Sequence, residues 1–164
     1  MHAQYDAGFY DSIKDRAYTS ALEIAPFIHR LIEPTSVVDI GCGSGDWLAV
    51  FQSLGVQDIL GFDGGAGSEA ALRIPREFFR SVDFRQPIPV DRTFDLALCL
   101  EVAEHLAATD ARALVQTLAR LAPVILFSAA VPQQPGVHHV NCRWPEYWVT
   151  EFAKLGYEVH DSVR

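Results

Sequence analysis

At 164 residues, with 49% hydrophobic and 21% charged residues, the chain has the length and apolar content of one globular domain, which excludes disorder as its default state. Its formal charge of −8, from 13 basic against 21 acidic residues with the basic ones scattered, disfavours a phosphate-tracking surface, so no nucleic-acid partner is expected. Three widely spaced cysteines without a CxxC pair fit neither a disulfide framework nor a thiolate zinc site, and reduced thiols in a cytoplasmic protein are expected.

The N-terminus, MHAQYDAGFYDSIKDRAY, is polar and aromatic, unlike a signal peptide, and the longest apolar stretch, LAPVILFSAAV, falls far short of a membrane span. No membrane partner is expected. Across residues 9–32 the apolar positions Ile13, Ala17, Ala21, Ile24, Ile28 and Leu31 share one helical face. This predicts a leading helical segment, 1–32, that Pro26 should break or kink. Residues 33–164 then read as the α/β core of the same single domain.

SVVDI (36–40) predicts a short buried strand, the glycines after it a turn, and DWLAVFQSL (46–54) a helix closed by Gly55. DILGFD (58–63) is a second strand, EFFRSVDF (77–84) a third strand region, and QPIPVDRT (86–93) a loop. FDLALCL (94–100) is apolar almost throughout, as a parallel strand covered on both faces should be. A helix over 110–121, a fifth strand over 123–129, a helix over 145–156 with Pro145 at its start, and a last strand over 157–163 complete the series. Strands alternating with helices predict a doubly wound, mostly parallel, Rossmann-like sheet whose site lies at the carboxyl ends of its strands.

VVDIGCGSGDW (37–47) places Gly41, Gly43 and Gly45 between the first strand and its helix, where bare backbone lets a ligand approach closely. A dinucleotide fingerprint requires G-x-G-x-x-G, but position 46 is Asp, and Asp39 with Asp46 would set two negative charges beside a pyrophosphate. A cationic or zwitterionic ligand suits the loop better. Asp63, about twenty residues beyond the glycines, is placed to accept both ribose hydroxyls. Asp83, ending the third strand region, is placed for an adenine amine. S-adenosylmethionine (SAM) contains an amino-acid end, a ribose, an adenine and a sulfonium cation.

On these residues the chain resembles the class I SAM-dependent methyltransferases. VVDIGCGSGDW is similar to their glycine motif, GFDGG to the ribose-binding acid, SVDF to the adenine-side acid, FDLALCLEVAEHL to the fourth-strand segment, and GVHHVNCRWPEYWVTEFAKLGYEV to the late part of small-molecule members. The resemblance spans roughly residues 30–160. It implies SAM as cofactor, S-adenosylhomocysteine (SAH) as product, and Asp39, Gly41, Gly43, Gly45, Asp63, Gly64, Asp83 and Leu100 as cofactor contacts. Family members usually finish with an antiparallel seventh strand, for which this chain has no segment left, so the sheet is expected to lack it.

Methyl transfer needs a positioned nucleophile and, for a hydroxyl, a base. His105 in EVAEHL is the leading candidate, with His139 and His138 behind it. Glu101, Glu104 and His105 stand at i, i+3 and i+4, on one side of a helix if one forms, and His139 could close a metal-ligand set. The spacing resembles metal-dependent O-methyltransferases, but many SAM enzymes carry a similar segment without metal, and none is expected here. Tyr5, Phe9 and Tyr10 are candidates for a flap, and Trp144, Tyr147 and Trp148 for a substrate wall, with at least one of the latter packing the core. Cys42 and Cys99 are assigned no chemistry. The expected function is methyl transfer from SAM to a small-molecule acceptor, most plausibly at oxygen. The alternatives are a non-catalytic SAM-fold module or truncated fragment, and, less favoured, a nicotinamide-dependent oxidoreductase.

Overall fold

Five short apolar runs pair into one sheet: β1 (Ser36–Ile40), β2 (Asp58–Asp63), β3 (Phe79–Ser81), β4 (Leu96–Leu100) and β5 (Val124–Ser128). The computed structural model describes residues 7–64 and 71–163, with side chains from residue 16 onward. The strand order is β3-β2-β1-β4-β5, with every pairing parallel. The order reverses direction around β1, so the loops leaving β1 and β4 diverge and open a crevice at their carboxyl ends.

Period-two alternation divides the core between the sheet's faces. Val38, Ile40, Ala97 and Cys99 pack with Leu114, Leu118, Trp148 and Phe152, from α3 (Ala108–Leu121) and α4 (Pro145–Ala153). Val37, Ile59, Leu96 and Leu98 pack with Ala21, Ala25, Leu48 and Phe51, from α1 (Ala7–Ile32) and α2 (Asp46–Ser53). At the opposite end from the crevice, the Asp95 carboxylate accepts the N–H and hydroxyl of Thr35 and the N–H of Ser36, fixing β4 against β1.

The structure corrects four of the local readings. Pro26 does not end α1, which continues to Ile32, because burial of Ala21, Ala25 and Ile28 offsets the hydrogen bond proline cannot donate. The third strand is only three residues long, preceded by a 3-10 turn at Arg76–Phe78, since β3 is an edge strand that pairs, among the described residues, with β2 alone. The 145–156 helix ends at Ala153. Residues 157–163 form no strand. Only Tyr157 and Val163 are half-buried there, so no apolar row holds a register, and the Tyr157 hydroxyl instead donates to the Ala119 and Ala122 carbonyls (3.1 and 2.5 Å). Among the described residues the sheet is wholly parallel, and no helix is long and apolar enough to cross a membrane. Tyr5 lies outside the described residues, as do the side chains of Phe9 and Tyr10.

Candidate active site

The loop after β1 is tied to the end of β2. Gly41 and Cys42 donate their N–H groups to the Phe62 carbonyl (2.7 and 3.0 Å), and Gly43 donates to the Asp63 carboxylate (2.9 Å). The backbone takes left-handed φ values of 86°, 54° and 81° at Gly41, Gly43 and Gly45, which non-glycine residues rarely adopt. A Cβ at Gly43 would meet nothing within 4 Å, so the loop presents bare backbone to open space.

Asp39 is 2% exposed at the end of β1. Burial, and then the charges of Asp63 and Asp46, push its carboxyl up to about 7. A buried carboxylate that resists ionisation is a natural counter-group for a cation. Asp46 plays a different part from the one its sequence position suggests. Its carboxylate accepts the Ser44 hydroxyl (2.6 Å) and pairs with Arg73 Nε (2.6 Å), while the Arg73 guanidinium lies 4.4 Å over the Tyr18 ring. The charge at the start of α2 is thereby neutralised from 27 positions downstream, with no local sequence signal to announce it. The case for a cationic ligand therefore rests on Asp39.

One continuous depression of about 2150 Å³ runs from this loop across the ends of β4 and β5 to the outer edge of β5. Much of that volume is an open groove along the length of β5 and beside residues 156–163, beyond the strand ends where the glycine loop lies. Asp39, Gly41, Gly43, Asp63, Gly64 and Leu100 line it, as do Glu101, Glu104, His105 and His139. Asp83 is not among the lining residues. Its carboxylate is held by Arg85 at the surface (2.7 to 3.1 Å), whereas the adjacent Phe84, which sequence reasoning passed over, faces the cleft.

Residues 101–105 do not form the helix that would align Glu101, Glu104 and His105. Glu101 has φ 57°, and only Ala103–His105 close a 3-10 turn. Glu101 instead accepts the Ser128 hydroxyl (2.8 Å) and the Gln134 amide (3.3 Å). The loop bearing His139 is pinned to this turn, because Val140 and Asn141 donate their N–H groups to the Glu104 carbonyl (2.8 and 3.0 Å). His139 thus meets His105 edge to face, with ring centroids 4.9 Å apart. Ligand atoms of Glu104, His105 and His139 all lie within 4.8 Å of one another. Burial holds the His105 imidazole below its ordinary pKa, and burial together with the nearby Glu101 carboxylate pushes Glu104 up to about 7.

Trp148 is buried against Phe127 and Tyr147 and also lines the depression, whereas Trp144 is exposed and does not line it. The Cys42 and Cys99 thiols are both pushed up, first by burial and then by Asp39, so neither is an activated nucleophile.

The profile of a family described as methyltransferase domain matches residues 13–161. No curated protein matches the sequence. Among solved structures, a SAM-dependent methyltransferase from Archaeoglobus fulgidus is 19% identical with a TM-score of 0.72, covering 93% of this chain and 75% of that one. Magnesium protoporphyrin IX methyltransferase (ChlM) from Synechocystis PCC 6803 with bound SAH is 17% identical with a TM-score of 0.66, covering 85% and 73%. The methyltransferase domain of bacterial CtHen1 is 20% identical with a TM-score of 0.65, covering 87% of both chains. At such identities the likeness establishes the fold.

Proposed function

Because the chain belongs to the methyltransferase-domain family, we propose that it transfers a methyl group from SAM to a small-molecule acceptor at an oxygen nucleophile. The observation that carries this reading is the glycine loop hydrogen-bonded to Asp63, bare toward open space, with the buried Asp39 carboxylate behind it. Asp39 answers the cationic amino-acid end and Asp63 accepts the ribose hydroxyls. The adenine side falls to Phe84 and Leu100 more than to Asp83, since only the first two line the cleft. SAM, when bound, supplies a methyl group on a sulfonium sulfur, a leaving group that needs no acid.

The protein's remaining task is to orient the acceptor hydroxyl and remove its proton. His105 and His139 stand at the acceptor end of the cleft, and His105, kept neutral by burial, is able to receive that proton. The acidic character of the chain favours an uncharged or cationic acceptor over a polyanion. The Synechocystis enzyme, named for a porphyrin acceptor, supports the small-molecule reading. Calorimetric titration with SAM, SAH and NAD is the direct test. Saturable binding of the first two and none of NAD is expected. Folded protein that binds none of them would shift the assignment to a non-catalytic module of the same fold.

Asp39 makes SAM affinity pH-dependent. In the folded, ligand-free protein burial lets it hold its proton up to about pH 7, against 3.8 for an ordinary aspartate. Since the folded state binds more protons than the unfolded state between those values, stability without ligand falls as pH rises through that window. A cationic ligand favours the ionised form, so binding releases the proton. SAM affinity should therefore rise by up to about tenfold per pH unit between pH 5.5 and 7, then level off. The Asp39→Asn variant should give a flat profile. A wild-type profile equally flat by calorimetry would remove Asp39 from cation recognition.

A further inference from the structure

We propose that Glu104, His105 and His139 form a binding site for a divalent transition-metal cation at the acceptor end of the cleft. Glu104 is wholly buried, and neither of its carboxylate oxygens makes a hydrogen bond of good geometry, although the backbone N–H groups of Glu104 and Ala130 lie near enough to favour its ionised form. His139 Nδ1 is likewise buried without a hydrogen bond. Buried polar groups of this kind are ordinarily paired, and here one anionic and two imidazole donors converge within 4.8 Å. The arrangement is built rather than incidental. The Glu104 carbonyl holds the 140–141 backbone, the Asn141 amide donates to the Ala103 carbonyl (3.4 Å), and a methyl added at Gly136 would overlap the His139 ring.

One carboxylate with two imidazoles suits Mn²⁺, Fe²⁺, Co²⁺ or Zn²⁺ better than the all-oxygen sets taken by Ca²⁺ or Mg²⁺. Three protein ligands leave coordination positions open toward the cleft, where an acceptor hydroxyl enters as a ligand and loses its proton more readily. With the cation bound, His105 is a ligand and the proton of the acceptor hydroxyl passes to solvent water, whereas without the cation His105 receives it. That role rests on the methyl-transfer reading; the site does not.

The test is titration of the chelator-treated full chain with Co²⁺, followed by visible absorption of the imidazole-ligated ion, beside Glu104→Gln and His139→Asn. Each variant is first shown to be folded by its thermal midpoint, and SAM binding by the wild type is measured separately by calorimetry. Saturable uptake of one Co²⁺ per chain, weakened at least about tenfold in each variant, is expected. Wild-type protein that binds SAM but takes up no Co²⁺, or variants that bind Co²⁺ as well as wild type, would overturn the site and leave the methyl-transfer reading standing. Co²⁺ uptake at these residues without SAM binding supports the site and overturns that reading instead.

Discussion

Replacing Asp63 with alanine is expected to weaken SAM and SAH binding at least about 100-fold while leaving the protein folded. Two hydrogen bonds from ribose hydroxyls to a carboxylate are worth roughly 1.5–3 kcal/mol each, so their loss alone amounts to two orders of magnitude or more in Kd. A second effect adds to it, because the same carboxylate accepts the Gly43 N–H at 2.9 Å and so holds the glycine loop against β2. Asp63→Asn keeps an acceptor for Gly43 and for one hydroxyl, and should fall between the two. Calorimetric titration of the three proteins decides the matter. Wild-type affinity in Asp63→Ala would remove this strand end from the cofactor site.

Gly41→Ala and Gly43→Ala should behave differently although both sit in one motif at positive φ. At Gly41 the φ is 86° and an added Cβ would overlap Val102 Cγ2 in the turn that follows β4. Left-handed backbone costs roughly 1–2 kcal/mol for a residue with a Cβ, and overpacking a further 1–3 kcal/mol or so. A loss of about 2–5 kcal/mol in urea unfolding is therefore expected, with SAM binding lost alongside. At Gly43 the φ is 54° and the Cβ would point into open space, so the stability cost stays near the conformational part alone, about 1–2 kcal/mol. The same methyl stands where the cofactor is proposed to lie, and SAM affinity should drop at least tenfold. Equal destabilisation by the two substitutions, or undiminished SAM binding by Gly43→Ala, would contradict the geometry.

The elements whose signals are local were legible from residue order. Short apolar runs at 36–40, 58–63 and 96–100 marked strands, and the 37–47 motif with Asp63 marked residues, Asp39, Gly41, Gly43 and Asp63, that line one cleft. These readings depend on side chains within a few positions of one another, where periodicity and turn chemistry carry the information. The edge of the sheet was less legible. EFFRSVDF and YEVHDSV have strand-like composition, but the first pairs on one side over three residues and the second pairs with nothing among the described residues.

The alternation of apolar runs with helical periods, read alone, determined a doubly wound α/β chain, and the 37–47 motif determined a turn of bare backbone at the end of its first strand. Only the tertiary structure decided that Arg73 cancels Asp46, that Asp83 belongs to Arg85 at the surface, and that Glu101 is bound by Ser128 and Gln134. It also brought His139 against Glu104 and His105 across 34 positions of chain. The reason is physical. Backbone preference and apolar period are properties of neighbours in sequence, whereas the partner of a charge or an imidazole is whatever the folded chain brings within a few ångströms of it.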